Sequence, residues 1–116
     1  MIDNAATALP VGDLTSQLFS GGVDTAFSFV AGDLAMPVQL MECKEKPDSA
    51  GPDSTRTPFL LVFRADVDEG HLMQQAVEFH GSIQGLEDGS VDGLLIHRML
   101  RPMNMPEGAY YQVIFN

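Results

Sequence analysis

Four side chains here belong to the usual metal-ligand set: His71, His80, His97 and Cys43. Zinc and iron sites take such ligands at short fixed spacings, because a helix face or tight turn then holds two at once. No pair stands in an H-x-x-x-H or C-x-x-C arrangement. His71 follows a turn glycine, His80 precedes one, and His97 lies in an alternating segment. Each is expected to serve its own local structure. Asp88-Gly89-Ser90-Val91-Asp92-Gly93 places oxygen ligands at loop positions 1, 3 and 5 and glycine at 6, as a calcium loop does. Position 12, which should be a bidentate Glu, is Met99, and an apolar strand follows Gly93. Asp66-Val67-Asp68-Glu69-Gly70 is one residue too short for the pattern. Both segments read as hairpin turns, where Asp and Gly satisfy backbone groups and tolerate positive φ.

Nucleophilic chemistry has equally little to build on. Gly81-Ser82-Ile83-Gln84-Gly85 misplaces the serine of a G-x-S-x-G elbow. Cys43 sits in mid-strand near Leu40 and Met41, surroundings that favour an inert thiol. Gly21-Gly22 follows a helical segment instead of opening one, so it makes no phosphate cradle. The expectation is a protein without catalysis, cofactor or metal.

Sixteen acidic and six basic residues give a formal charge of −10 over 116 residues, which argues against a nucleic-acid partner. Residues 66 to 92 hold Asp66, Asp68, Glu69, Glu78, Glu87, Asp88 and Asp92 with no Lys or Arg. These acids either keep the domain soluble or form a negative face that selects a partner. No apolar run approaches the roughly 20 residues that cross a bilayer as a helix, so membrane insertion is not expected. Met1-Ile2-Asp3-Asn4 lacks the basic and apolar blocks of a Sec-type signal. The expected location is the cytoplasm, or the cell surface by a route that needs no such signal.

The length suits one domain. Residues 1–12 read as a loose arm and 13–116 as a single β-rich domain. Asp13 stands as an N-cap before Leu14, Leu18 and Phe19 at helical spacing, which predicts a short helix over 13–20. The period then becomes two. Strands are predicted over 25–30 and 38–44, the second with Val38, Leu40 and Glu42 on one face and Gln39, Met41 and Cys43 on the other. Three prolines make 45–58 a loop, and Phe59-Leu60-Leu61-Val62-Phe63 a strand buried on both faces. His71 to His80 fits a helix through Met73, Val77 and His80 and also a strand, with Val77 and Phe79 favouring strand over 76–80. Residues 82–86 read as another strand, 87–93 as a turn, and 94–101 and 109–115 as the last two strands. The fold class is therefore mainly β: a small antiparallel barrel or sandwich of about six to seven strands with one short N-terminal helix.

Arg101-Pro102-Met103-Asn104-Met105-Pro106-Glu107-Gly108 departs from the polar composition of most hairpin connections. Met103 and Met105 either fold back as a plug over an open barrel end or form a stiffened apolar tip for another chain. The last strand offers a further contact by β-addition. The candidate partner-contact residues are Met103, Met105 and Tyr110, with Asp66, Asp68, Asp88 and Asp92 as selectivity elements. The partner is another protein or a second copy of this chain. Two alternatives stand beside this: a barrel with an internal small-molecule cavity, and a hydrolase in which His80, His97 or Cys43 meets a carboxylate around a metal.

Phe59-Leu60-Leu61-Val62-Phe63-Arg64, Val77-Glu78-Phe79-His80-Gly81-Ser82-Ile83, the strand stopped by Pro102, and Gly108 through Asn116 together resemble a family of small bacterial domains of unknown function, the DUF6916 type. Phe63, Arg64, His80, Pro102, Tyr111, Phe115 and Asn116 match that family's pattern, while Glu78 and Phe79 depart from it. The resemblance implies a β-rich accessory domain without known catalysis. It also implies work beside phage-tail-collar-like proteins, in a tail-like or surface filament assembly.

Overall fold

Phe59, Leu61, Phe63 and Ala65 are buried along one face of strand β3 (Phe59–Ala65), and this two-residue period governs most of the chain. The structure, a computed structural model, describes residues 16, 19, 25–47, 51, 57–86 and 89–115. Before β3 run β1 (Ala26–Ala31) and β2 (Leu34–Glu45). After it come a short helix, α1 (Leu72–Gln75), and strands β4 (Glu78–Leu86), β5 (Gly89–Met99) and β6 (Ala109–Phe115).

Six antiparallel strands close into a barrel in the order β1-β2-β3-β6-β5-β4, with β4 returning to β1. Each half is a three-strand meander. The seams differ in extent. β3 and β6 pair along their whole lengths, from Phe59↔Phe115 to Ala65↔Ala109, whereas β1 meets β4 only from Ser28↔Gln84 to Val30↔Ser82.

Aromatic rings fill the interior. Phe29 lies edge-on to Phe63 at 4.9 Å and to Tyr111 at 5.6 Å. At one end Phe59 and Phe115 stack at 4.5 Å. Phe19 covers both rings from 6.0 and 5.9 Å and is fully buried. Its N–H donates to the Ser16 carbonyl at 3.0 Å. The rest of the helix expected over 13–20, and the arm over 1–12, lie outside the described residues.

Several expectations need correction. The strand expected from 76 begins at Glu78, after α1. The segments 78–80 and 82–86 form one strand, continuous through Gly81, where a Cβ would meet the Val30 carbonyl at 2.8 Å. Residues 89–93, read as turn, extend β5. Gly93 at φ +69, together with register shifts against β4, absorbs the irregularity that the Gly- and Asp-rich sequence signals. β5 also stops at Met99, short of 101.

β2 starts at Leu34, immediately after the turn with Gly32 at φ +59, and tolerates Pro37. The ladder to β3 ends at Gln39↔Arg64, so Pro37 pairs on one side only, with Ser28. A bulge between Leu40 and Glu42 breaks the expected alternation. Leu40 and Cys43 pair with the inward Phe63 and Leu61, which sends Glu42 outward beside Val62.

Gly85 adopts φ +116, and a Cβ there would lie 3.2 Å from the Phe27 ring and 3.3 Å from its Cα. Gly85→Ala is expected to destabilise the fold by on the order of 1–3 kcal/mol. Urea denaturation of the two proteins would measure it, and an unchanged midpoint would remove the assigned strain.

Candidate functional site

Three connections gather at one end of the barrel: the β1–β2 turn, the crossover 66–77 and the β5–β6 hairpin 100–108. β3 and β4 are not neighbours, so the crossover must span the barrel mouth. It does so by lowering Met73, which is 2% exposed, into the opening. The plug is thus a methionine other than those the sequence pointed to.

Side chains replace the hydrogen bonds this segment cannot take from a ladder. Gln74 Nε2 donates to the Asp66 carbonyl at 2.8 Å, and Gln74 Oε1 accepts from the Asp68 N–H at 2.8 Å. Asp68 Oδ1 accepts from the Gly70 N–H at 3.1 Å. His71 caps α1: its Nδ1 accepts from the Met73 N–H at 3.2 Å, so the proton sits on Nε2, which donates to the Ala35 carbonyl at 3.1 Å. Arg98 donates from Nη1 to the Gln74 carbonyl at 3.1 Å, holding the last turn of α1.

The hairpin is equally anchored. The Met105 N–H donates to the Pro102 carbonyl at 3.3 Å across a turn with Asn104 at φ +68. The Tyr110 hydroxyl donates to the Pro106 carbonyl at 2.6 Å. Arg64 Nε donates to the Glu107 carbonyl at 2.6 Å, while its Nη1 pairs with Asp66 at 3.1 Å.

Met103 stands at the tip, 89% exposed, and Met105 is half-buried behind it. Tyr110 is a correction: it is fully buried beneath the hairpin it anchors and presents nothing to a partner. Asp66 and Asp68 are exposed at this end, each engaged locally. Asp88 lies outside the described residues. Asp92 is exposed on β5 and accepts from Ser90 Oγ at 3.1 Å. It stands roughly 23 Å along the strand from Met99, at about 3.3 Å per residue. The candidate acids therefore do not form one face.

The histidines and the cysteine are also dispersed. His97 Nδ1 lies 3.5 Å from Glu78 Oε1, and His80 is exposed on β4. Cys43 faces inward toward the Phe19 end, its Sγ donating to the Ser16 carbonyl at 3.7 Å. Among the described residues, no three His, Cys, Asp or Glu side chains come together as metal ligands would.

What the sequence pattern missed is the company Met103 keeps. Val67, Leu72, Val77, Leu100 and Met103 are all exposed at the crossover end, and among described residues only Ile114 is a comparably exposed large apolar side chain elsewhere. The signal for them was their place inside polar connections, such as Val67 within Asp66–Gly70. A cleft of about 480 Å³ opens there between α1 and the hairpin root, walled by Gln74, Gln75, Val77, Arg98, Leu100 and Arg101 among others. A second, of about 340 Å³, is lined by Arg64, Asp66, Asp68, His71 and Gln74, all of which bond within the protein.

Two groups titrate away from their ordinary ranges. Burial, with the nearby Glu45 carboxylate, pushes the Cys43 thiol up. The folded thiol is therefore expected to alkylate more slowly near pH 8 than in urea, and equal rates would contradict the burial. Burial also pushes the Tyr111 phenol up, the Arg98 guanidinium 5.4 Å over its ring opposing it. Its buried hydroxyl lies beside the Arg98 guanidinium but meets no hydrogen bond of good geometry among the described residues.

A raised phenol favours the neutral form in the folded chain. That contribution is intact below the free tyrosine range, about pH 10, and is lost as pH rises through the folded value. Tyr111→Phe removes an orphan hydroxyl, so it should leave stability unchanged or raise it by about 1 kcal/mol. It should also flatten the alkaline loss seen in wild type. Urea titrations at pH 7 and 10.5 would show both, and a clear loss at pH 7 would mean that the hydroxyl has a partner.

Set against family models, curated proteins and solved structures, the chain matches none of them.

Proposed function

We propose that this domain works by contact: it docks another protein, or a second copy of itself, through the crossover end of the barrel, as an accessory or assembly element. The observation that carries this reading is the concentration of exposed Val67, Leu72, Val77, Leu100 and Met103 on connections held rigid from beneath. Leaving such side chains wet forgoes about 1.5–3 kcal/mol each that burial would supply. Grouped at one end, they mark an interface more readily than scattered ones do. Methionine suits a contact of this kind because its unbranched thioether adapts to irregular surfaces.

A ligand-holding barrel is less well supported, since Phe29, Phe63 and Tyr111 fill the interior and both clefts open outward. The resemblance to DUF6916-type domains supports a narrower version, in which the partner belongs to a phage-tail-like or surface filament assembly. On that version the protein meets its partner in the cytoplasm or at the cell surface.

Replacing Leu100 and Met103 together by Ser should leave the thermal midpoint unchanged within about 0.5 kcal/mol of stability, as for exposed sites generally. The same change should abolish the partner recovered with the wild-type protein from its native host. Undiminished recovery by the double variant would remove the crossover end from the contact.

A further inference from the structure

We infer that the cleft between α1 and the hairpin root receives an extended acidic–aliphatic segment of the partner protein. Its carboxylates would meet Arg98 and Arg101, and an aliphatic side chain would lie against Val77 and Leu100. This rests on the contact reading above and names the chemistry of the partner.

The argument is one of charge in an unusual place. The chain carries sixteen acidic residues against six basic ones, yet no carboxylate lines this cleft and two guanidiniums do. Of the acids in the flanking connections, Asp66 pairs with Arg64 and Glu78 lies beside His97, while the exposed Glu69 and Glu107 stand outside the cleft lining. Arg98 is held in place by the Gln74 carbonyl and the Tyr111 ring. A guanidinium has five N–H donors, so the bond to Gln74 and the contact with Tyr111 do not exhaust them.

Arg101 is exposed and has no ion pair or hydrogen bond among the described residues. A fixed guanidinium beside a free one makes a graded receptor: the first orients a carboxylate and the second closes on it. Repulsion from acids farther off is weak, since charges beyond about 8 Å are largely screened at physiological salt.

The apolar shoulders decide between a peptide and a small anion. Val77 and Leu100 are 78% and 90% exposed on the cleft wall, and the Val77 carbonyl accepts from the Arg98 N–H at 2.8 Å, which fixes the apolar shoulder beside the arginine. A lone phosphate would satisfy the guanidiniums and leave both apolar side chains wet. An alternating acidic and aliphatic segment uses both halves of the wall.

The test uses the full-length protein and an acetylated, amidated, fluorescein-labelled peptide, Asp-Leu-Glu-Leu-Asp, titrated by polarisation at low salt. Saturable binding is expected. It should weaken roughly tenfold or more with the Asn-Leu-Gln-Leu-Asn control or with Arg101→Glu, since a like charge then faces the ligand. Leu100→Ser should weaken it severalfold. Absence of saturation, equal binding of the two peptides, or indifference to Arg101→Glu in a protein with an unchanged melt would each overturn the proposal. So would displacement by millimolar inorganic phosphate combined with indifference to Leu100→Ser, which would describe a simple anion site. Native partner recovery that is lost in the Leu100/Met103 double variant but survives Arg101→Glu would leave the contact reading standing and sink this inference alone.

Discussion

A barrel whose third and fourth strands are not neighbours must carry its chain across its own mouth, and the crossover end is organised by that constraint. The crossing segment leaves the β-ladder, so its backbone groups need other partners, and it must bury something apolar to stay down. Met73 meets the second demand. Gln74 and His71 meet the first by bonding Asp66, Asp68, Met73 and Ala35 from side chains. A four-residue helix has too few internal hydrogen bonds to persist alone. It holds because it is wedged between a buried side chain and a set of satisfied carbonyls.

Rigidity at that end is what makes exposed apolar groups usable. A mobile loop that displays Leu or Met gives up much of its binding free energy in ordering. Here Tyr110 and Arg64 tie the hairpin to β6 and β3 from below, through the Pro106 and Glu107 carbonyls. Gly108 lets Arg64 lie flat, since a Cβ would meet its Nε at 2.6 Å. Met103 is thus held out on a fixed turn, and the interaction that buries Tyr110 is the one that presents Met103.

The recurrence of short strand-like segments between turn-rich connections was enough to read a small antiparallel barrel or sandwich from sequence, and the pairing of β4 with β1 makes it a barrel. Local irregularities were not legible. The β2 bulge moves Cys43 inward without any Gly or Pro to announce it. The expected start at 38 fell short of Leu34 because β2 tolerates Pro37 where β3 has stopped pairing, which is a tertiary fact. The acids of 66–92 looked like one face because they are close in sequence, but β5 carries Asp92 to the far end. Tyr110 follows the same logic: an aromatic after a hairpin is a surface residue unless the hairpin folds over it. The methionine tip was visible as composition, whereas its apolar neighbours depend on the crossover, which only the strand order brings alongside.

The same constraint accounts for the arginines at this end of an acidic protein. Carbonyls stranded where the chain leaves its ladders call for donors, and guanidinium supplies several in one plane. Arg98 serves the Gln74 carbonyl and Arg64 the Glu107 carbonyl. Both are structural first, and Arg98 sits beside exposed Val77 and Leu100 because the crossover and the hairpin bring carbonyls and apolar residues together. Arg101 has no such duty among the described residues. Placed next to an arginine already fixed, it adds a second guanidinium to the cleft wall. In this molecule, recognition chemistry at the barrel mouth follows from the backbone demands of closing it.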